Sequence, residues 1–415
     1  MQLQSKEVAN RPAIVPSLLG ARFVPAAVMF TAHAAQQMMF SSQEANGAFY
    51  FATDVAGLGA VTFFFLLSGF VLTWSSKPTD TPMSFWRRRF FRIAPTYVAA
   101  FAIAYTLVSW GGNPRMGEVD IPPDMALANL LLLQSWFPDL RVLTMVNPPT
   151  WSLSCEMLFY VLLPFMLPLI RRIRPERLWA WTIGVCVLIL TMPIVGSTLP
   201  GAPVPGVGVS PMELWFTYFF PPVRALEFVF GVLLARIVMT GRRLPLGVGG
   251  AVTLAIVVGA LTPLLPTYFK FAGALAIPLG LVVASLAAAD VAGRSTWLAS
   301  RGMVWLSQLT YAFFLVHPIV VMHTHMWLGK LGFGTTWSKP VVLLIILSML
   351  TVSMLLSWAL FTFVENPIYR RFAVGSAYRA AQRRAHEPDP ALEWGEPAHT
   401  GNGRTDVVAA GSGGR

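Results

Sequence analysis

AGLGAVTFFFLLSGFVLTWS, residues 56–75, is a run of twenty residues without a single charge. As a helix it is about 30 Å long, the thickness of the hydrocarbon core of a bilayer. Lys77 follows, and Trp86-Arg87-Arg88-Arg89-Phe90-Phe91-Arg92 then opens the next apolar run. A long uncharged run closed by a basic loop marks a membrane-spanning helix that ends on the cytosolic side. The chain repeats this pattern, and spans are expected near 17–39, 56–75, 90–109, 152–170, 178–196, 212–236, 246–265, 270–290, 303–328 and 340–363. The apolar piece 126–137 is shorter than a span needs and reads as a re-entrant or interfacial helix. The expected fold is all-α, a polytopic membrane helix bundle of about ten transmembrane helices plus that short piece.

Composition agrees. Of 415 residues 55% are hydrophobic and 12% charged, about half the charged share of a soluble domain. The net charge of +11 does not point to nucleic acid, because the basic residues cluster in short loops between apolar runs. Loops holding Lys6 and Arg11, Lys77 with Arg87 to Arg92, Arg171 to Arg177, Arg236 to Arg243, and Arg294 with Arg301 are expected in the cytosol. Stretches 40–55 and 197–211 contain no Lys or Arg and are expected outside. Ten spans alternate under these assignments, placing both termini in the cytosol beneath an inner membrane. Residues 1–15 read as a cytosolic tail, 16–370 as one membrane domain, and 371–415, polar and rich in Gly, Arg and Ala, as a disordered cytosolic tail. No cleavable signal peptide is expected, since the first apolar run is long and lacks a small-residue cleavage site. Cys155 and Cys186 fall in apolar segments outside any metal spacing, and no disulfide is expected.

Ionisable residues inside spans are costly and mark candidate function. Arg22 and His33 are eleven positions apart, which brings them within about 20° of one helix face and roughly 16 Å apart along the axis. Arg22 falls near the cytosolic mouth and His33 deeper. Arg89 and Arg92 share a face at i,i+3, and guanidinium forks suit phosphate oxygens; Arg87 and Arg88 read as positive-inside anchors. Glu156, in Trp151-Ser152-Leu153-Ser154-Cys155-Glu156, is expected at the depth of His33, where a carboxylate would orient the imidazole. Arg224 and Glu227, mid-span at i,i+3, are expected to neutralise each other, either as structure or on the wall of a site. His317, before Pro318, is a further cavity candidate. His323 and His325 are two residues apart and do not share a helix face, so no metal site is expected. Ser68-Gly69 permits close backbone approach, for packing or for a cofactor.

In order, Arg22 with His33, Phe64-Phe65-Leu66-Leu67-Ser68-Gly69-Phe70, Arg89-Phe90-Phe91-Arg92-Ile93-Ala94-Pro95, Trp151-Ser152-Leu153-Ser154-Cys155-Glu156, Tyr311-Ala312-Phe313-Phe314-Leu315-Val316-His317-Pro318 and Val364-Glu365-Asn366-Pro367 resemble the acyltransferase family 3 membrane proteins over about residues 15–370. The family's usual Leu-Arg near the start stands here as Ala21-Arg22. The resemblance implies an O-acyltransferase that moves an acyl group, acetyl by default, from cytosolic acyl-CoA to a glycan or glycoside hydroxyl. It implies His33 and Arg22 as the family's essential first-helix pair and Arg89 with Arg92 as its cytosolic Arg-x-x-Arg element; His33 is expected to be catalytic, and the carboxylate of Glu156 is expected to orient it. Arg22, Arg89, Arg92, Ser68 and Gly69 are expected around the acyl-CoA, and Trp151, Arg224, Glu227 and His317 around the acceptor. His33 then acts either as general base or as a transient acyl carrier. The implied partners are membrane lipids, acyl-CoA as a co-substrate and the acceptor, with no tightly bound cofactor. Intramembrane charges also fit a glycan transporter or flippase, against which stands the lack of paired Gly/Pro-broken helices in two halves of the chain.

Overall fold

The computed structural model describes residues 15–373 except 78, 115–119 and 295. The expected cytosolic tails, 1–15 and 371–415, lie almost wholly outside the described residues. All regular structure among the described residues is helical, and β pairing is confined to one bridge between Phe40 and Trp337.

The first span, α1, is Pro16–Ala35. Its hydrogen-bond ladder lapses at Arg22, because Pro25 has no N–H for the carbonyl of Ala21. Arg22 nevertheless keeps helical dihedrals (φ −60°, ψ −33°), so the helix runs on. Helix α2, Gln43–Ser75, starts well before the apolar run at residue 56. Ser42 caps it by accepting from the Ala45 N–H, and an ion pair between Asp54 and Lys270 anchors its polar first half. Helix α3, Pro82–Gly111, opens on a reciprocal Thr81/Ser84 capping box. The short helix α4, Pro123–Leu130, ends in a left-handed residue, Leu132, and leads through single turns at Gln134–Trp136 and Leu140–Thr144 to α5, Trp151–Arg171. There follow α6 (Leu178–Gly196), α7 (Pro221–Met239), α8 (Val248–Leu261), α9 (Ala276–Val291), α10 (Arg301–Lys330) and α11 (Lys339–Leu360). Wide π-helical turns at Phe361–Glu365 and Tyr369–Ala373 extend α11.

Eight helices among the described residues are long and apolar enough to cross a membrane. The bundle is therefore an all-α, multi-pass membrane fold. The two remaining expected spans are also helices, with differences that have physical causes. The span expected at 212–236 begins only at Pro221; residues 215–219 form a π turn from which Tyr218 and Phe219 pack on Trp151. This helix, α7, lies inside the bundle against α2, α5, α6 and α9, so its apolar face meets protein and it tolerates charge. The span at 246–265 is a helix only over Val248–Leu261, extended by one tight turn to Leu264. The piece 126–137 does not cross. It folds back on α5, burying Gln134 and Ser135, with the Ser135 hydroxyl donating to the Trp151 carbonyl at 2.8 Å.

Two features hold α7 against α2. Gly69 and Gly231 allow the backbones to touch: a Cβ on Gly69 would lie 2.0 Å from the Phe228 carbonyl oxygen, and one on Gly231 would lie 2.0 Å from that of Leu66. Nearby, Arg224 and Glu227 pair at 3.0 Å, each about 98–99% buried. The Thr62 hydroxyl donates to Glu227 at 3.1 Å and accepts from Arg224 at 3.1 Å. The Arg224 guanidinium lies 5.1 Å from the Phe65 ring and 5.2 Å from the Tyr218 ring. Breaking a buried pair from one side leaves a bare charge. Glu227→Leu is therefore expected to destabilise the protein by about 3–5 kcal/mol, and Arg224→Met with Glu227→Leu by clearly less. Thermal unfolding of the purified variants in detergent checks both.

Candidate active site

A cavity of about 190 Å³ is walled by α1, α2, α3, α5 and α10. Its polar lining comes chiefly from Arg22, Ser68, Arg89, Arg92, Glu156 and Tyr160, set among apolar residues such as Met29, Phe65 and Phe314. The i,i+3 spacing brings Arg89 and Arg92 to the same wall, as expected. Glu156 and Tyr160, one turn apart on α5, bond to each other, the phenol donating to the carboxylate at 2.5 Å. Arg92 contacts Glu365 at 2.9 Å, a fully buried carboxylate that the wide turn at Phe361–Glu365 brings behind it. Arg89 stacks over Phe85, and its Nε is buried without a hydrogen-bond partner. Arg88 pairs with Asp80 at 2.9 Å and Arg87 donates to the Phe372 carbonyl, so both turn away from the cavity, as anchors do. Three guanidinium groups face two carboxylates here, so the cavity region is positively charged and suits an anionic ligand.

His33 lies on the same face of α1 as Met29 and about 6 Å further along the axis. Its Nδ1 is 3.0 Å from Nε2 of His317 on α10, with the two rings within 17° of parallel. His317 Nδ1 lies 2.7 Å from the Phe313 carbonyl oxygen. A carbonyl only accepts, so in the neutral ring the proton of His317 is on Nδ1 and its Nε2 is an acceptor. His33 must then donate from Nδ1, which leaves its Nε2 as the nitrogen carrying the lone pair.

This geometry corrects the expected pairing of His33 with Glu156. The carboxylate bonds Tyr160 and stands within Coulombic reach of Arg22 and Arg89, while the ring that orients His33 is His317. An exposed start of α5 at Trp151 would put Glu156 only about one turn below the surface. In the structure the segment 134–150 covers that end, Trp151 is buried, and Glu156 sits deeper, with the arginines.

The other expected residues separate clearly. Ser68 lines the cavity, whereas its neighbour Gly69 faces α7 and serves helix packing rather than a ligand. Trp151 is packed on Tyr218 and Phe219, off the wall. Arg224 and Glu227 are enclosed by α2 and α7, away from the cavity lining. Two features of the site were not singled out from sequence: Tyr160 on the wall, whose position one turn after Glu156 was the available signal, and Glu365 behind Arg92, which lay unassigned in Val364-Glu365-Asn366-Pro367.

The fold and site thus define a multi-pass membrane protein with a cationic cavity and an imidazole pair held between its helices. A family model described as an acyltransferase domain matches residues 16–362. The chain therefore belongs to the acyltransferase family 3 proteins and is a membrane-embedded O-acyltransferase. Among its relatives, Acyltransferase MdmB of Streptomyces mycarofaciens is 37% identical over 383 residues, covering 91% of this chain and 96% of the relative. Exopolysaccharide production protein ExoZ of Rhizobium meliloti (strain 1021) is 27% identical over 356 residues, covering 83% of this chain and all of the relative. No solved structure matches it.

Proposed function

We propose that the protein moves an acyl group, acetyl first among candidates, from acyl-CoA to a hydroxyl of a glycan or glycoside, with His33 as general base. The observation that carries this reading is the fixed order of hydrogen bonds from His33 through His317 to the Phe313 carbonyl, which sets the tautomer in which the His33 Nε2 is the basic nitrogen. The loops that carry the arginines are the basic ones, so this end faces the cytosol, with the protein in an inner membrane. Arg22, Arg89 and Arg92 grip the phosphates of acyl-CoA there. At about 190 Å³ the cavity is below the range of whole-ligand pockets, roughly 300–1,000 Å³, and so takes only part of acyl-CoA, the phosphate-bearing part beside the arginines.

In the chemical step His33 Nε2 takes the proton of the acceptor hydroxyl as its oxygen bonds to the thioester carbonyl carbon. The oxyanion that forms is stabilised by neighbouring guanidinium charge. It collapses with cleavage of the carbon–sulfur bond, and the departing thiolate recovers the proton from the imidazolium. The products are the ester and free CoA.

The relatives' printed names bear on the acceptor. One is an acyltransferase and the other an exopolysaccharide production protein, which supports a glycan or glycoside. Transfer of radiolabel from acetyl-CoA into alkali-labile ester in inverted membrane vesicles tests the reaction. Label must enter only when the protein is present; equal incorporation in vesicles lacking it overturns the reading. Trapping label on the protein itself in the absence of acceptor would show that His33 carries the acyl group instead.

Two variants divide the roles. His317→Ala leaves the His33 tautomer unfixed and is expected to lower kcat by about 10- to 100-fold with the KM for acyl-CoA unchanged. Arg89→Leu is expected to raise that KM by about ten-fold or more with little change in kcat. Steady-state kinetics in vesicles, with acyl-CoA varied, checks both.

A further inference from the structure

A second cavity, about 610 Å³, lies between α3, α10 and α11 and shares no lining residue with the first. Its wall is apolar: Ile103 of α3, Val320 and Trp327 of α10, and Val352, Ala359 and Phe363 of α11 are typical. The lining runs from Val352 to Val364 on α11, which is about 18 Å along the helix. The space is therefore elongated along the helices, in the direction that a hydrocarbon chain takes in a bilayer.

Two lining groups are polar, Thr324 and His323, and the second of them is buried with an unsatisfied atom. His323 is 8% exposed and lines this cavity, and its Nε2 has no hydrogen-bond partner. Its Nδ1 lies 3.0 Å from the Ile319 carbonyl oxygen. The carbonyl only accepts, so Nδ1 carries the hydrogen and the neutral ring offers Nε2 as a bare acceptor. Leaving a buried acceptor unsatisfied is unfavourable. The hydrocarbon tail of an ordinary lipid has no donor to satisfy it; a hydroxyl does. His317 is six residues back on α10 and bonds His33 instead, so His323 is a separate feature.

We propose that this cavity binds a single-chain amphiphile drawn from the bilayer, its hydrocarbon chain lying along α10 and α11 and its hydroxyl donating to Nε2 of His323. The chemical class is a long-chain alcohol; an ether or ester of the same chain lacks the donor. The site does not depend on the identity of the acyl donor or acceptor of the transfer reaction.

The test uses the purified full chain in lipid nanodiscs and a photoreactive probe, hexadecanol carrying a diazirine in its chain, beside the methyl ether of the same probe. Cross-linked peptides are mapped by mass spectrometry. The alcohol is expected to label peptides of α10 and α11 about ten-fold more than the ether. His323→Leu is expected to erase that preference, and Ala359→Trp, which fills the cavity, to erase the labelling. Val352→Phe replaces Ala359→Trp if the latter does not elute like the parent protein. Equal labelling by alcohol and ether in the parent protein overturns the proposal, since the crevice then holds bulk lipid only. So does labelling that survives filling of the cavity.

Discussion

Replacing His33 by alanine is expected to lower acyl transfer by about 10²- to 10⁴-fold, the usual contribution of a positioned general base. Under the proposed roles the loss should fall on kcat, because the arginines that line the cavity are untouched by the change and should keep the KM for acyl-CoA near its original value. Some loss of stability accompanies the change, since Nε2 of the fully buried His317 is left without its donor. His33→Gln separates the two effects. A glutamine amide can donate to His317 and keep the packing, yet it cannot take a proton. That variant is expected to unfold like the parent protein and to be as inactive as the alanine variant. Kinetics and thermal unfolding measured on the same preparations decide the matter; a glutamine variant with near-parental turnover removes the imidazole from the chemistry.

The largest structural effect is expected at Gly69. An added Cβ would sit 2.0 Å from the Phe228 carbonyl oxygen and 3.1 Å from the Val232 nitrogen, and both are backbone atoms that no rotamer change can move. The opposite side is equally tight, with Gly231 against the Leu66 carbonyl. Helices α2 and α7 would have to part, exposing the Arg224–Glu227–Thr62 cluster that bridges them. Overpacking a core costs about 1–3 kcal/mol when side chains can adjust. Here they cannot, so Gly69→Ala is expected at or above the upper end and Gly69→Val to prevent assembly of the bundle. Monodisperse elution and the unfolding temperature in detergent report this directly. Parental stability in Gly69→Ala would show that the two backbones are not in contact.

What the sequence revealed follows from which forces act locally. Span existence depends on the length of an apolar run, so the bundle was legible. Span ends depend on caps and partners. The first turns of α2 were missed because Ser42 and the Asp54–Lys270 pair stabilise a polar stretch. Residues 212–220 looked like membrane helix because they are rich in apolar rings, but Tyr218 and Phe219 cover Trp151 while Trp215 and Phe216 pack on Phe220. The cavity wall was largely legible, since Arg22, Ser68, Arg89, Arg92 and Glu156 fall on helix faces that periodicity predicts. Partners across the bundle were not. His33 and His317 are 284 residues apart, and helical periodicity gives a residue's face without naming what stands opposite. The same blindness hid Glu365 behind Arg92 and assigned Glu156 to the wrong neighbour.

The most direct test of the central claim is mass spectrometry of the surface glycans and secreted glycosides of the producing organism, with the gene deleted and then restored as the parent or the His33→Gln form. One acyl ester is predicted to vanish on deletion, to return with the parent gene and to stay absent with the variant. Unchanged acylation after deletion, or full restoration by the variant, would contradict acyl transfer through this imidazole.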